Sequence, residues 1–407
     1  MRTIYKTANL QKIVILMVSM TAFSSLVVIV TGAIGDYAAY LEQWVLVTAG
    51  LDPWSPYYNG NPVPFNAYGP LHAAVGSAVA LHSYGPKFIF ALCSLASFVV
   101  LIFAASRTRL EVEQRSIFLL ALLFPLSPLV IVHTYAYGGN DIVCALLCIL
   151  ACELRARNMF LLAGMALGLG ALMKFYPLLF APFFCIDRNG IARLRPLLAA
   201  ACVFALGMLF CHVVLGWSVL SAVEGGVTRE AKSLSILRFA QVAVEYTGSN
   251  AAHWIVDFLI DKNSLFVLVA VALVSLWGWI FRVSWRVVTL IGILAVFAVY
   301  KVGHTQFFIV WSAVIAWALA EDEDQEAVEV SRAFFPLLAF LWLLSVKSAA
   351  LALAYSELPE FSQILGKLDY QWRTLSSLVF WAFVVYGLIK ARSIIFAGNR
   401  RRPAIRV

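Results

Sequence analysis

The chain has 407 residues, of which 62% are hydrophobic and 13% are charged. A soluble globular domain carries about a quarter charged residues, so the composition excludes that class and indicates an all-α, polytopic membrane protein. The net charge of +8 does not indicate nucleic-acid binding, because the lysines and arginines punctuate the apolar runs as positive-inside loops do.

The apolar runs predict roughly twelve membrane spans. The first is interpreted as a retained span, because no cleavage signature follows a short apolar core. Several runs are shorter than the roughly twenty residues that cross a bilayer, and such helices usually line a cavity enclosed by protein. In chain order the predicted spans are 13–34, 86–106, 116–134, 140–154, 159–173, 175–187, 195–216, 263–281, 286–301, 305–320, 332–352 and 371–391.

Two interpretations of segment 159–187 are open: one tilted span, or two short spans with Lys174 at the tip between them. In a single span, Lys174 and Pro177 would lie near the middle, where a lipid-facing charge is costly. Two spans also place 20 of the 30 Lys and Arg residues on the inside of the membrane. The sequence therefore favours the two-span hairpin.

This topology collects polar segments on the outer side of the membrane. Two are long: a first extracytoplasmic loop at 35–85, with an interfacial or re-entrant helix from Pro70, and a second at 217–262, with an interfacial helix. The shorter ones are HTYAYGGND at 133–141, Lys174 and YKVGHTQ at 300–306. Residues 1–407 are predicted to form one domain. On the inner side, the acidic run at 321–329 is predicted to be a solvated loop.

The outer segments hold three kinds of side chain that suit a phosphate-linked sugar. Cations suit the phosphate because cation–phosphate bonds are charge-assisted, and aromatic rings suit the faces of a sugar. Asp36, at the rim of the first span, can take a proton from an acceptor hydroxyl. The candidate cations are Lys174, Lys301, Arg229, Lys232 and Arg238, and the candidate aromatic residues are Trp54, Tyr57, Tyr58, Phe65 and Tyr68.

Most of these residues also have a purely structural interpretation. Tyr and Trp at membrane rims form aromatic belts, interfacial Arg and Lys meet lipid headgroups, and single histidines such as His72, His133 and His304 pack or cap. No two histidines show metal-ligand spacing, and the seven cysteines lie in apolar runs, so the sequence predicts no metal site. An acidic residue at the rim of a span points more strongly to function.

Short motifs in the outer segments resemble the GT-C membrane glycosyltransferases, and most closely GPI mannosyltransferase I and the bacterial PimE-like mannosyltransferases. GLDPWSPY followed by NAYGPLHA is similar to their small-x-P-Y and Y-x-P-L pattern, and LMKFYPLLFAP to their K-x-Y-P-L stretch. YKVGHTQFFIVW is similar to N-K-V-x-T-S-Q-Y-F-x-W-Y, and YGGND to a Gly-Asn/Ser-Asp/Glu turn that enters a span. TREAKSLSILRF resembles R-H-N-F-S-x-Y-F more weakly.

The resemblance implies an inverting glycosyltransferase that transfers a hexose, such as mannose, from a polyprenyl-phosphate donor to a lipid-linked or glycolipid acceptor. It implies that Asp36 is the catalytic base, because the first loop of the family opens with an acidic residue. It implies no cofactor and no metal, and GDY holds one acid where many relatives have two. The implied donor-phosphate and substrate-binding residues are Lys174, Lys301, His304, Gln306, Arg229, Arg238, Tyr68, Trp54, Asn140 and Asp141.

The resemblance also implies a location: the inner membrane of a bacterium with the site facing the periplasm, or the ER membrane of a eukaryote. Membrane lipids would surround the protein, with no nucleic-acid partner. Two alternatives stay open, a transporter or flippase of lipid-linked saccharides and a non-catalytic envelope assembly partner. A transporter needs ionisable residues at mid-membrane depth on several helices, and Lys347 comes nearest to such a residue.

Overall fold

The computed structural model describes residues 2–108, 114–188, 193–223, 231–248, 250–357 and 362–401. It is 79% helical with almost no strand, which confirms the all-α polytopic membrane fold. The first half of the chain contains α1 (Arg2–Thr31), α2 (Asp36–Thr48), β1 (Tyr57–Tyr58), β2 (Asn61–Pro62), α3 (Pro70–Gly76) with a 3₁₀ turn (Ser77–Ala80), α4 (Gly85–Thr108), α5 (Gln114–Leu123), α6 (Pro128–Val130) with a π-helix (Ile131–Ala136), α7 (Asp141–Ala156), α8 (Phe160–Met173), a 3₁₀ helix (Tyr176–Cys185) and α9 (Arg195–Val213).

The second half contains β3 (Lys232–Ser233), α10 (Ile236–Thr247), α11 (Asn250–Asp261), α12 (Asn263–Ile280), α13 (Trp285–Val299), β4 (Val302–Gly303) with a 3₁₀ turn (Thr305–Phe307), α14 (Phe308–Glu321), α15 (Gln325–Ala333), α16 (Phe335–Glu357) and α17 (Ser362–Arg401). β1 pairs with β2 in an antiparallel hairpin, whereas β3 pairs in parallel with β4. The second pairing joins two segments that topology alone had placed on the same side.

Each predicted span coincides with helical structure. In the described part of the chain, seven helices are long and apolar enough to cross a membrane. The chain also breaks at Lys174, as the hairpin interpretation predicts: α8 ends at Met173, Lys174 is extended, and the 3₁₀ helix from Tyr176 follows. Pro177 near the start of that helix and Pro182 inside it explain why no α-helix continues there.

The short span that forms α14 lies in the packed centre of the protein. All but one of the 14 residues of α14 are buried, and the helix packs against α4 and α7. At a rise of 1.5 Å per residue, α14 is about 21 Å long, less than the bilayer core. Protein surrounds it, so its length need not match the bilayer.

The acidic run at 321–329 closes one end of the helix bundle, so the prediction of a solvated loop is wrong. Glu321 is 1% exposed and accepts hydrogen bonds from Arg107 Nη2 at 2.5 Å and Arg286 Nε at 2.6 Å. Asp324 accepts from Arg188 Nη2 at 2.7 Å and from the Ser284 hydroxyl. Arg107, Arg188 and Arg286, which the positive-inside rule placed on the inner side, therefore pair with carboxylates here. This end of the bundle is the inner end in the predicted topology.

Within the described part of residues 231–262, two helices, α10 and α11, stand where the sequence predicted one interfacial helix. Ser235 caps α10 by accepting from Leu237 N at 3.2 Å, and Gly248, at φ +63°, ends it. α11 follows and packs against α10, while Trp254 on α11 is 70% exposed. A helix also begins at Pro70, as predicted. That these helices lie in the membrane interface stays a prediction.

Candidate active site

A cavity of about 350 Å³ lies at the other end of the bundle, where α2 begins. Its walls come from the α1–α2 junction, the π-helix, the segment after β3, the 3₁₀ turn after β4, α16 and α17. The main polar lining residues are Asp36, His133, Tyr137, His304, Gln306 and Lys347. Most of the segments predicted to lie outside therefore meet at one place in the fold.

Asp36 owes its position to a sharp turn between α1 and α2. Gly35 has a φ of +58°, a left-handed conformation that favours glycine, and Asp36 is the first residue of α2. The partial positive charge at a helix N-terminus favours an ionised carboxylate there. Asp36 is exposed to the cavity, whereas the next residue, Tyr37, is buried and donates to Ser83 O at 2.6 Å. The carboxylate is thus accessible on a firmly anchored helix end.

Lys87, which is fully buried, ties the turn before Asp36 to the opposite wall. Its Nζ donates to Gly32 O at 2.7 Å, just after α1, and to Ala136 O at 2.6 Å, at the end of the π-helix. These two bonds hold the C-terminal ends of α1 and of the π-helix next to each other. Gly138, at φ +62°, follows the π-helix, and a Cβ there would lie 2.4 Å from the Tyr37 ring. The YGGND turn therefore needs glycine at this position to pack against α2.

A buried ion pair lies behind the cavity wall. Lys174 Nζ donates to Asp141 Oδ2 at 2.8 Å, and the Tyr176 hydroxyl donates to Asp141 Oδ1 at 2.8 Å. The same ammonium lies 5.1 Å from the centre of the Tyr68 ring and 4.9 Å from that of Phe307. Phe307 belongs to the 3₁₀ turn that carries His304 and Gln306. The pair therefore supports this wall from inside.

Tyr40 connects this support to the helix of Asp36. Its hydroxyl donates to the Tyr68 hydroxyl at 2.9 Å, and its ring lies 4.8 Å from that of His72. Burial raises the pKa of Tyr40 well above its ordinary value, and the nearby Tyr68 and Asp36 raise it further. His72 in turn contacts Asn140 through a 3.0 Å hydrogen bond. These contacts fix α2, α3 and the start of α7 relative to one another.

The structure brings some of the predicted site residues to the cavity and leaves others away from it. Asp36, His304 and Gln306 line the cavity, and Tyr68, Asn140, Asp141 and Lys174 lie in the buried layer behind it. Lys301 is 3% exposed and donates through Nζ to Ile260 O at 3.2 Å. Neither Lys174 nor Lys301 lines the cavity.

Two further predicted residues also do not line the cavity, and a third is not among the residues that the structure describes. Trp54 is 7% exposed and packs with Met208 and Cys211 of α9. Arg238 on α10 contacts Gln241 through a 3.4 Å hydrogen bond. Arg229 lies outside the described residues. Trp54 and Arg238 thus occupy positions with a structural explanation.

The cavity also contains residues that sequence analysis did not select, above all Lys347 and Tyr137. Lys347 is the single charged residue of the candidate span Phe335–Ala354. The Tyr137 hydroxyl donates to Ser348 O at 2.9 Å and so fixes α16 against the π-helix. The sequence did hold a signal that Lys347 could be a site residue, because a charged residue inside a membrane helix usually faces a cavity or a partner. Tyr137 gave no comparable signal.

The chain matches the model of a known protein family. Residues 66–302, more than half of the chain, match Glycosyltransferase family 87. The matched range contains Tyr68, Asp141, Lys174 and Lys301, whereas Asp36 precedes it. No curated protein matches the chain at a significant level. In the described part of the chain, no three His, Cys, Asp or Glu side chains come together as metal ligands would.

Proposed function

We propose that this chain, which belongs to glycosyltransferase family 87, a GT-C-type family of membrane glycosyltransferases, uses a polyprenyl-phosphate sugar as its donor. The sugar is a hexose such as mannose, and the acceptor is a lipid-linked or glycolipid hydroxyl. Family membership favours this function over the alternatives of a flippase and a non-catalytic assembly partner.

One observation carries the proposal. Asp36 is the one carboxylate among the described residues that line the cavity, and the lysine Lys347 and the imidazoles of His133 and His304 line it too. A general base must reach the hydroxyl proton, and a departing phosphate needs a positive environment. α16, one wall of the cavity, also exposes apolar side chains such as Leu343 and Leu353 on its surface. Both lipid-borne substrates can reach such a cavity from the bilayer.

In the proposed mechanism Asp36 accepts the proton of the acceptor hydroxyl as its oxygen attacks the anomeric carbon. The bond from that carbon to the phosphate oxygen breaks, and its electron pair leaves with the lipid phosphate. Attack opposite the leaving group inverts the anomeric centre. Holding donor and acceptor in one cavity converts a bimolecular encounter into a unimolecular step, which supplies much of the acceleration.

The donor class is tested by incubating membranes that contain the protein with radiolabelled polyprenyl-phosphate mannose or, in parallel, with a labelled nucleotide sugar. We expect labelled glycolipid only from the lipid-phosphate donor, and at least about a hundredfold less of it from membranes that carry the Asp36→Asn variant. A product that forms directly from the nucleotide sugar, with the lipid-phosphate donor inactive, would contradict the proposal.

We also propose that the cavity faces the periplasm or lumen, and thiol labelling tests this location. Tyr57 in the first loop is 61% exposed and Tyr246 in the second is 82% exposed, whereas Glu323 lies among the ion pairs at the opposite end. In a cysteine-free variant, we expect Tyr57→Cys and Tyr246→Cys to react with an impermeant reagent added outside intact cells or vesicles. Glu323→Cys should react only after permeabilisation, and the reverse pattern would overturn the assignment of sides.

A further inference from the structure

Lys347 occupies one face of α16. The residues of this helix that line the cavity are Leu344, Lys347, Ser348, Leu351 and Ala352. Their spacing of three and four residues places them on one helix face. Leu343, Val346 and Leu353 lie on other faces and are 59%, 51% and 63% exposed, as expected for side chains that contact lipid. Lys347 therefore lies on the face of α16 that lines the cavity, not on the faces that are exposed to the bilayer.

Along the face of α16 that lines the cavity, polar residues lie between apolar ones. Apolar residues lie one turn before and one turn after Lys347 and Ser348. Such a stripe suits a ligand with a charged head and an apolar chain. A lysine inside a membrane helix is costly unless it faces a cavity or meets a partner. An anion that reaches the cavity would make a charge-assisted bond with it.

Other cations do not fill this place. Lys174 is paired with Asp141, and Lys301 donates to a backbone carbonyl, both away from the cavity. Among the described residues that line the cavity, Lys347 is the one lysine. His304, at the start of the 3₁₀ turn after β4, adds an imidazole to the same lining. Asp36 lines the same cavity. A phosphate bound at Lys347 would therefore lie within the cavity that holds the proposed base.

We infer that Lys347 binds the phosphate of a prenyl-phosphate ligand, with His304 as the second contact, and that the apolar stripe of α16 holds the adjoining chain. The inference rests on the proposed function, which supplies the lipid-phosphate donor. In the transfer step the phosphate oxygen gains the electron pair of the broken bond to the anomeric carbon. Lys347 compensates that added negative charge, while the acceptor proton moves to Asp36.

Ligand binding tests the inference without relying on turnover. Purified protein in detergent is titrated with farnesyl phosphate and with farnesol, which lacks the phosphate, and thermal unfolding reports binding. We expect Lys347→Met to weaken farnesyl phosphate binding about tenfold or more, the size of a lost charge-assisted bond. Lys347→Arg should stay within a few-fold of wild type. Lys262→Met, at an exposed lysine of the second loop, should bind as wild type does.

The farnesol titration separates a damaged cavity from a lost phosphate contact. An unchanged farnesol response in Lys347→Met shows that the apolar part of the cavity is intact. Farnesyl phosphate binding that is the same in Lys347→Met and wild type would overturn the inference and leave the proposed function in place. If wild-type protein responds equally to farnesyl phosphate and farnesol, the phosphate-linked donor of the proposed function fails, and the inference fails with it.

Discussion

Replacement of Asp36 by Asn should lower turnover by at least about a hundredfold, because a general base typically contributes 10²- to 10⁴-fold. Asn keeps the size of the side chain and its place at the start of α2, but it cannot accept the proton. The side chain is exposed to the cavity, so folding should be little affected. Initial rates at saturating donor, with thermal unfolding of the same preparation, measure both effects.

Glu42 provides a matched control on the same helix. It is exposed, and Glu42→Gln makes the same chemical change about two turns further along α2. We expect its rate to stay within a few-fold of wild type. If Asp36→Asn keeps most of its activity, the base is another group. Asp141 would be a poor substitute in this structure, because Lys174 and Tyr176 already occupy both of its oxygens.

Replacement of Lys174 by Met should destabilise the protein by roughly 3–5 kcal/mol, the cost of leaving one partner of a buried ion pair alone. Lys174 is 6% exposed and Asp141 is fully buried, so little solvent is available to compensate. The double variant Lys174→Met with Asp141→Asn removes both charges and should recover much of the loss. The melting temperatures of the detergent-solubilised single and double variants measure this coupling.

The same variants show whether Lys174 stabilises the fold through its ion pair with Asp141 or binds the donor phosphate. If the ammonium contacted donor phosphate, Lys174→Met would keep its melting temperature and lose donor affinity, and adding Asp141→Asn would not restore that affinity. Lys262→Met, an exposed change at the same end of the protein, should leave stability unchanged. A Lys174→Met variant as stable as this control would contradict the proposed role of the pair.

Sequence patterns predicted the membrane fold well because each span is a local signal. Apolar runs and the break at Lys174 depend on residues close together in the chain. The sides of the membrane, which follow from counting spans, stay a prediction. The prediction that Asp36 and His304 lie on one side needed no tertiary information, and both line the cavity. The rim position of Asp36 was itself visible at the end of an apolar run.

The remaining features depend on packing that a single sequence does not contain. Lys174 and Asp141 are 33 positions apart, and a shared side of the membrane does not say that one neutralises the other. The face of α16 that carries Lys347 could not be assigned to lipid or to cavity without its neighbours. The π-helix that presents His133 shifts the helical register locally, and its sequence gave no sign of this. For these reasons the phosphate role moves, in our proposal, from Lys174 and Lys301 to Lys347.

The central place of α14 has a consequence for the synthesis of the protein on the ribosome. α4 and α7 are made long before α14, yet both pack against it, and Arg107 is 214 positions from its partner Glu321. Until α14 emerges, its place between the earlier helices is unfilled, and Glu321, the carboxylate nearest to Arg107, has not been made. We therefore expect the nascent chain to be only partly assembled until α14 has been made. The family-matched segment ends at residue 302, just short of the helix that would complete this core.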